Sequence, residues 1–220
     1  MNTLLHYLGE YFGTSANWSG PGGIPTRLRE HFGYTLLALG LAFVIAFPLG
    51  LWTGHTGRGG AVVTLIANSA RALPTYGLLV LLVVLSGIGL VPVLIPLLAL
   101  AIPPILLNTY EGIRGVDPAL TDAARGMGMT RRQVLFEAQL PVALPLILVG
   151  TRTAAVQIVA TATIAAAVSF GGVGRPIVDG LARNDYTLVV GGAALAAVCS
   201  LLVLAIFAGL RRLLVSPGLR

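Results

Sequence analysis

Long runs without a charged residue constrain this chain more than any other feature. Residues 72–110 and residues 186–210 contain no Asp, Glu, Lys or Arg. A single helix over the 39 residues of the first run would be about 58 Å long, roughly twice the hydrocarbon thickness of a bilayer. The first run must therefore fold back on itself. Ser86-Gly87-Ile88-Gly89, followed by Pro92, provides a turn there.

Composition excludes a water-soluble domain. Hydrophobic residues make up 56% of the 220 residues and charged residues 10%, against about 25% charged in an average globular domain. A soluble protein of this size lacks the interior to bury so much apolar surface. An ordinary cytosolic domain, a secreted enzyme and a disordered tail are therefore excluded.

Metal and nucleic-acid sites are not expected. The histidines at 6, 31 and 55 have no ligand spacing, and Cys199 is the single cysteine, so neither an intrachain disulfide nor a thiolate metal site is predicted. All fourteen basic residues are arginines and the formal net charge is +6. No basic run is interleaved with aromatic residues, so we assign the positive charge to membrane topology rather than to nucleic acid.

The predicted fold is an all-α, polytopic membrane helical bundle with five transmembrane helices. The spans are predicted at about residues 32–54, 61–86, 91–111, 141–169 and 186–210. The second span begins near Ala61 and carries Arg71 and Pro74 inside one helix. Residues 1–30 form an extracytoplasmic segment with a short interfacial helix at about residues 2–12. Residues 171–185 form a glycine-rich loop.

Arginines set the predicted orientation. With the N-terminus outside and the C-terminus inside, more arginines fall on the inner side, as the positive-inside rule requires. The inner group is Arg58, Arg114, Arg125, Arg131, Arg132, Arg211, Arg212 and Arg220, and the outer group is Arg27, Arg29, Arg175 and Arg183. Residues 213–220 are then a cytoplasmic tail, and the polar segment 116–138 is a cytoplasmic loop.

The sequence of this loop predicts a hairpin of two short helices. Pro118 suits the first turn of a helix, with Asp117 or Thr121 as its N-cap. Gly128 ends that helix and permits a sharp reversal. A second helix begins at Thr130-Arg131-Arg132-Gln133 and leads to the fourth span. The result is a compact knob that a soluble partner can bind.

The spacing in this knob resembles the EAA loop of ABC importer permeases. The matching residues are Asp122-Ala123-Ala124, Gly128 and Leu140-Pro141, all in register. Two positions depart from the family pattern. Asp122 replaces the usual glutamate, and Ala138 stands where isoleucine is common.

A narrower resemblance is to the permeases for quaternary-amine osmoprotectants: glycine betaine, carnitine, choline and proline betaine. It covers roughly residues 28–212. It is carried by Glu30-His31, Pro48-Leu49-Gly50, Leu73-Pro74-Thr75, Gly171-Gly172-Val173-Gly174 and Gly180-Leu181. In relatives the second-helix motif often reads Thr-x-Pro-Ser-Leu-Ala-Leu, which this chain does not reproduce.

The resemblance implies a non-catalytic subunit of an ATP-driven importer in the cytoplasmic membrane of a prokaryote. Implied partners are a cytoplasmic ATPase dimer, a second permease (identical or homologous) and a separate extracytoplasmic substrate-binding protein. The chain would bind no cofactor directly, because the ATPase subunits bind ATP and Mg²⁺.

Two sets of residues follow as candidates. The resemblance implies ATPase coupling through Asp122, Ala123, Ala124, Arg125, Gly128 and Arg131. Polar groups inside or near the spans are candidates for the translocation path, because a charge within a bilayer needs a polar partner or a water-filled cavity. These are Asn68, Arg71, Thr75, Tyr76, Arg152 and Gln157. For each arginine the alternative is an interfacial position reached by snorkelling, and the other four are alternatively packing contacts between helices.

Other functions remain as alternatives. An ABC importer permease for another small polar solute, such as an amino acid, fits the same loop. A stand-alone secondary carrier fits poorly, since no internal repeat is detectable. A membrane enzyme also fits poorly, because the predicted spans contain no acidic residue except Glu111 at the end of the third, and no clustered catalytic groups.

Overall fold

The computed structural model describes residues 2–69, 73–216 and 218, and every regular element in this part of the chain is helical. Four of its helical segments are long and apolar enough to cross a bilayer. Large apolar side chains such as Val84, Leu85 and Leu201 are more than 60% exposed, as expected of surfaces that face lipid.

The helices run in the following order. Ahead of the first long helix lie α1 (Asn2–Gly13) and a 3-10 turn (Ser15–Trp18). Then follow α2 (Ile24–Thr56), α3 (Gly60–Ser69), α4 (Thr75–Ser86), α5 (Leu90–Arg114), α6 (Pro118–Gly126), α7 (Arg131–Gln133), a π-helical segment (Val134–Gln139), α8 (Leu140–Thr161), a 3-10 segment (Ala162–Val168), α9 (Arg175–Arg183) and α10 (Tyr186–Leu214).

Two sequence predictions about helix continuity are wrong. Pro74 does not lie inside a helix: Leu73 and Pro74 are non-helical, and Pro74 is the residue before α4, with ψ at 90°. Proline lacks the N–H that a helix interior needs, so the helix begins after it. The predicted loop at 171–185 contains α9, whose second residue is Pro176 and whose Arg175 and Asp179 pair one turn apart at 3.0 Å. Arg71 lies outside the described residues.

The chain forms two compact units, each built from three segments. The first comprises Met1–Leu39, Pro74–Leu98 and Val156–Val203, and the second comprises Gly40–Leu73, Ala99–Ala155 and Leu204–Arg220.

In the first unit a buried histidine joins α2 to the end of α8. His31 is fully buried, with Nε2 3.0 Å from the Val159 carbonyl oxygen and Nδ1 3.1 Å from the Tyr34 hydroxyl. The same hydroxyl lies 3.1 Å from the Ala162 carbonyl oxygen. Because a carbonyl only accepts, Nε2 carries the proton in a neutral ring, and the single hydroxyl proton serves either Nδ1 or Ala162.

Glu30 fixes the glycine loop of this unit. One of its carboxylate oxygens accepts hydrogen bonds from the Gly172 N–H and from Arg27, both at 2.9 Å. Gly171 and Gly172 have φ angles of 103° and 80°, which favour glycine. A Cβ on Gly172 would also collide with the Tyr34 hydroxyl. Two of the sequence stretches that carry the narrower resemblance, Glu30-His31 and Gly171-Gly172, are therefore in contact.

The N-terminal helix is attached to the same unit. Tyr11 is 3% exposed and lies directly against Gly191, and Glu10 accepts a 3.0 Å hydrogen bond from Thr187. Burial raises the pKa of the Tyr11 phenol, while the nearby Arg27 opposes the rise. The predicted helix at residues 2–12 is confirmed, and these contacts hold it against the start of α10.

Small residues let the helices of the second unit approach closely. A Cβ on Gly50 would lie 2.6 Å from Thr109 Cβ, and one on Gly150 would lie 2.5 Å from the Pro104 carbonyl oxygen. Close approach at small residues is a common basis for helix packing in membranes. Beside these contacts lies an apolar core of Leu51, Ile113, Ala143 and Ile147. This core supports the segment that follows α5.

Candidate functional site: the hairpin between α5 and α8

The segment between α5 and α8 forms a helical hairpin, as its sequence predicts. Asp117 is the N-cap of α6 and accepts a 2.8 Å hydrogen bond from the Ala119 N–H, with Pro118 next to it. Of the two predicted caps, Asp117 is therefore the one used. Thr121 is buried, and its hydroxyl donates to the Pro118 carbonyl oxygen at 2.8 Å.

Gly128 makes the reversal. Its φ is 84°, a region that residues with a Cβ avoid. The N–H groups of Met127 and Gly128 bond to carbonyls of α6, the latter to Arg125 at 2.9 Å, and so satisfy the end of the helix. A Cβ at Gly128 would meet no atom within 4 Å. The glycine is therefore required by backbone conformation and not by crowding.

The second arm begins with a capping box. The Thr130 hydroxyl accepts from the Gln133 N–H at 3.4 Å, while Gln133 Oε1 accepts from the Thr130 N–H at 2.9 Å. The helix then continues through the π-helical segment, in which the Leu140 N–H bonds to the Leu135 carbonyl. No sequence pattern predicted this π segment, although such segments are frequent at functional sites.

Packing between the two arms of the hairpin buries some of its side chains and leaves others exposed. Ala124 is 2% exposed and Val134 is 1% exposed, so both are buried. Ala123 and Asp122 face outward, and Met127 at the tip is 78% exposed. Among the predicted coupling residues, Ala124 therefore packs inside the hairpin, whereas its neighbours present the outer surface.

A hydrogen bond joins the hairpin to the end of α2. His55 Nδ1 lies 2.6 Å from Gln139 Oε1, so the π segment and the last turn of α2 are directly linked. Neither residue was a candidate from the sequence. Their contact joins positions far apart in the chain, and no local pattern encodes it.

A basic cavity lies beside the hairpin. It has a volume of about 670 Å³ and is lined by His55, Thr56, Arg58, Arg125, Met129 and Arg131. Arg125 and Arg131 were sequence candidates, whereas Arg58 was assigned only to the inner turn. Arg125 also pairs with Asp122 at 3.5 Å, with both side chains more than half exposed. An exposed pair of this kind contributes little to stability, so these charges are available to a partner.

The path candidates are distributed over both units. Thr75 lines a crevice of about 10 Å³ together with Leu79, Thr161 and Ala162 of the first unit, whereas Arg152 lines a separate cavity with Arg211 and Arg212 of the second unit. Asn68, Tyr76 and Gln157 are exposed. For the described residues searched, no group of three or more His, Cys, Asp or Glu could hold a metal ion.

Comparison with protein families gives a match over most of the chain. The family described as "Binding-protein-dependent transport system inner membrane component" matches residues 46–220. This match confirms the resemblance to ABC importer permeases inferred from the hairpin sequence. It also confirms the expectation of a non-catalytic membrane subunit.

Curated relatives are similar over nearly their whole length. The choline transport system permease protein OpuBB of Bacillus subtilis (strain 168) is 30% identical over 98% of this chain and 97% of its own. The glycine betaine/carnitine/choline transport system permease protein OpuCB of the same organism is 31% identical over 88% and 89%. The carnitine transport permease protein OpuCD of Listeria monocytogenes serotype 1/2a (strain 10403S) is 34% identical over 92% and 88%.

Solved structures show the same fold. A chain of the inward-facing MetNI methionine ABC transporter aligns with a TM-score of 0.72 at 24% identity, covering 85% of this chain and 94% of that chain. A second crystal form of MetNI aligns with a TM-score of 0.71 at 25% identity. A component of a binding-protein-dependent transporter works with an ATPase and a binding protein. The chain belongs to the family of binding-protein-dependent transport system inner membrane components and is a multi-pass ABC importer permease of the bacterial cytoplasmic membrane.

Proposed function

We propose that this permease forms the membrane path of an importer for quaternary-amine osmoprotectants, the class that includes glycine betaine, choline, carnitine and proline betaine. The observation that carries the proposal is the set of relatives named for choline, betaine and carnitine transport, which are 30–34% identical over 88–98% of this chain. The contact between Glu30-His31 and the Gly171-Gly172 turn adds support, because the residues that carry this resemblance are structural partners.

In this proposal the N-terminus is extracytoplasmic and the C-terminus cytoplasmic, with five crossings. Four crossings are α2, α5, the continuous helix 131–168 and α10. The remaining crossing is supplied by α3 and α4, which contain 10 and 12 residues. Each is too short for a crossing of about 30 Å by itself, since 10 and 12 residues rise about 15 and 18 Å. The majority of arginines then lie on the cytoplasmic side.

The hairpin couples ATP hydrolysis to transport. Asp122, Ala123 and the Met127–Gly128 tip enter a groove of the ATPase subunit, with Arg125 and Arg131 as polar anchors. Ala124 acts by holding α6 against the π segment. Because the π segment continues into α8, a displacement of the hairpin by closing ATPases tilts a membrane-crossing helix, a rigid-body change of the kind that alternates access. ATP and Mg²⁺ belong to the ATPase subunits.

The basic cavity extends this docking surface. Arg58, Arg125 and Arg131 line it, so the groove of the ATPase that receives the hairpin carries acidic groups at its edge. Opposite charges across an interface increase association rate and fix register. Binding between this permease and its ATPase should therefore weaken as salt concentration rises.

The substrate path includes the interruption before α4. Thr75 and Tyr76 follow the non-helical Leu73-Pro74, and Tyr76 is 52% exposed. An aromatic face attracts a quaternary ammonium group, and Arg71 would attract the carboxylate of a betaine. Asn68 and Gln157 are further polar candidates. Arg152 remains a path candidate, although the cavity that it shares with Arg211 and Arg212 near the end of α10 favours an interfacial position.

The test is uptake of radiolabelled substrate by cells that express the permease with its ATPase and binding protein. We expect saturable uptake of glycine betaine or choline that is lost when the permease is omitted, and competition by carnitine. A system that imports methionine but none of these amines would contradict the substrate proposal and leave the permease assignment intact.

An amino-acid importer is the second candidate. It is supported by the alignment with the methionine transporter MetNI at 25% identity and a TM-score of 0.71. The amine-transport relatives have higher identity, and those named above match 88–98% of this chain. We therefore rank the quaternary amines first, and labelled methionine is the direct competitor in the uptake assay.

A further inference from the structure

A second arginine-lined cavity lies between α8 and α10, apart from the hairpin. Its volume is about 290 Å³, far above the ~30 Å³ that one water occupies in the liquid. Its lining comes from one face of each helix: Pro145, Leu148, Val149 and Arg152 from α8, and Phe207, Ala208, Arg211 and Arg212 from α10. The cavity is open to the surface, because all three arginines are exposed.

The charges of this cavity favour an anion. Three guanidinium groups line it, and no carboxylate of the described residues does so. Arg152 and Arg211 form no ion pair within the described part of the chain. Guanidinium groups bind phosphate oxygens with two parallel hydrogen bonds, so Arg152 of α8 and Arg211 of α10 form a phosphate-binding arrangement.

The rest of the lining is apolar. Leu148 and Val149 from α8 and Phe207 and Ala208 from α10 form the wall next to the arginines. A free inorganic anion gains nothing from this wall. A molecule with a phosphate at one end and hydrocarbon at the other is complementary to both parts of the cavity.

The position of the cavity along α10 places it at a membrane surface. Residues 186–210 are free of charge and Arg211-Arg212 follow directly, so these arginines mark the end of the crossing. Arg152 lies in the same cavity and is therefore near the same level, although it is the single charged residue of α8. Its long apolar stem permits that position.

We propose that this cavity binds the headgroup of an anionic phospholipid, with the phosphate on Arg152 and Arg211 and an acyl chain along Phe207 and Leu148. Under the proposed orientation this is the cytoplasmic leaflet, and only that leaflet assignment rests on the proposed function. Basic pockets between membrane helices on the cytoplasmic side are recognised sites for anionic headgroups.

The test measures lipid retained by the purified full-length permease. The chain is exchanged into mixed micelles with phosphatidylglycerol or phosphatidylcholine of identical acyl chains, and bound lipid is counted by native mass spectrometry. We expect preferential retention of phosphatidylglycerol. One arginine near an anionic surface corresponds to about fivefold in affinity, so Arg152→Gln or Arg211→Gln should reduce the preference about fivefold and the double variant about 25-fold.

Two further variants distinguish charge from a folding defect. Arg152→Lys with Arg211→Lys keeps both charges and should retain the preference within about threefold, since each cation still attracts the phosphate. Arg183→Gln removes one exposed arginine outside the cavity and should change nothing. Equal retention of the two lipids by the native chain, or an unchanged preference in the double glutamine variant, overturns the proposal.

Two competing ligands identify the source of the anion. Inorganic phosphate at 10-fold excess over lipid should not displace phosphatidylglycerol if the apolar wall contributes, and Phe207→Ala should weaken lipid binding. Displacement by inorganic phosphate alone would identify a phosphate site and overturn the lipid assignment. Displacement by glycine betaine would instead place the cavity on the solute path, and it too would overturn the proposal.

Discussion

Gly128 has a backbone conformation that a β-branched residue tolerates poorly. Gly126, two residues earlier, has an ordinary backbone conformation. The φ of Gly128 is 84°, whereas Gly126 is the last residue of α6 and has no positive φ. A Cβ at either position would meet no atom within 4 Å. The two glycines are therefore a matched pair that separates backbone strain from lack of space.

Valine at each of the two glycines tests whether the turn conformation is needed for coupling. Gly128→Val places a β-branched residue in the left-handed region at a cost of about 1–3 kcal/mol, which the hairpin can avoid only by changing its turn. We expect uptake per ATP hydrolysed to fall at least about tenfold while membrane insertion is unchanged. Gly126→Val should retain nearly native coupling. Native uptake by Gly128→Val in proteoliposomes would contradict the coupling role.

A substitution at Asp122 tests partner binding with little effect on the stability of the permease. Its side chain is 73% exposed and its pair with Arg125 is 3.5 Å long, so the pair contributes little to folding. Asp122→Asn should leave the thermal midpoint of the purified permease within about 1 °C but weaken ATPase binding about tenfold, since a carboxylate that contacts a partner is lost.

The control for this variant is Asp117→Ala in the same helix. It removes the N-cap of α6, so the midpoint should fall by about 2–4 °C for the loss of about 1 kcal/mol. If Asp122→Asn instead lowers the midpoint and leaves ATPase affinity intact, Asp122 is structural and does not dock.

At the level of elements, the glycine turn before α9 depends on the residues of α2. A Cβ on Gly172 would overlap the Tyr34 hydroxyl, and the φ of 80° adds backbone strain. Gly172→Ala should therefore lower the thermal midpoint by about 5 °C. Because Tyr34→Phe removes the overlapping oxygen, the double variant should be more stable than the sum of the two single effects predicts. Strict additivity would show that the turn and α2 are not coupled.

Local signals explain which elements the sequence predicts correctly. The hairpin is predictable because Asp117-Pro118, Gly128 and Thr130 are a cap, a turn and a second cap, each readable within a few residues. The helix α9 was missed because three glycines precede it, although Pro176 and the i, i+4 pair Arg175–Asp179 were signals of a helix start.

Features that depend on how helices pack against each other could not be predicted from the sequence. The break at Pro74 was predicted as helix because the charge-free run required a long span, and hydrophobicity does not distinguish one helix from two shorter ones. The hydrogen bond between His55 and Gln139 joins different helices, and Arg152 and Arg211 line one cavity from different helices. Such contacts depend on how the helices pack, so neither the basic cavity beside the hairpin nor the cavity between α8 and α10 could be predicted in full.

For the whole molecule, the net charge is distributed unequally between the two units. The segments of the first unit contain four arginines and four carboxylates, which cancel. Those of the second unit contain ten arginines and four carboxylates, and so carry the entire net charge of +6. The second unit also contains the hairpin. This distribution follows the positive-inside rule when the hairpin faces the cytoplasm, as proposed above.

The orientation of the hairpin can be measured with single cysteines. Cys199 is the single native cysteine and is 1% exposed, so Cys199→Ala gives a cysteine-free background. Met127 at the hairpin tip is 78% exposed, and Leu181 in α9 is 63% exposed. Cysteine at either position is accessible to a reagent on its own side of the membrane.

The most direct test is labelling of these two variants with a membrane-impermeant maleimide, before and after permeabilisation of spheroplasts. We expect Leu181→Cys to react in intact spheroplasts. Met127→Cys should react only after permeabilisation, and added ATPase should then slow its reaction. Labelling of Met127→Cys in intact spheroplasts, or a reaction rate that the ATPase does not change, would contradict the claim that this hairpin is where the permease meets its ATPase.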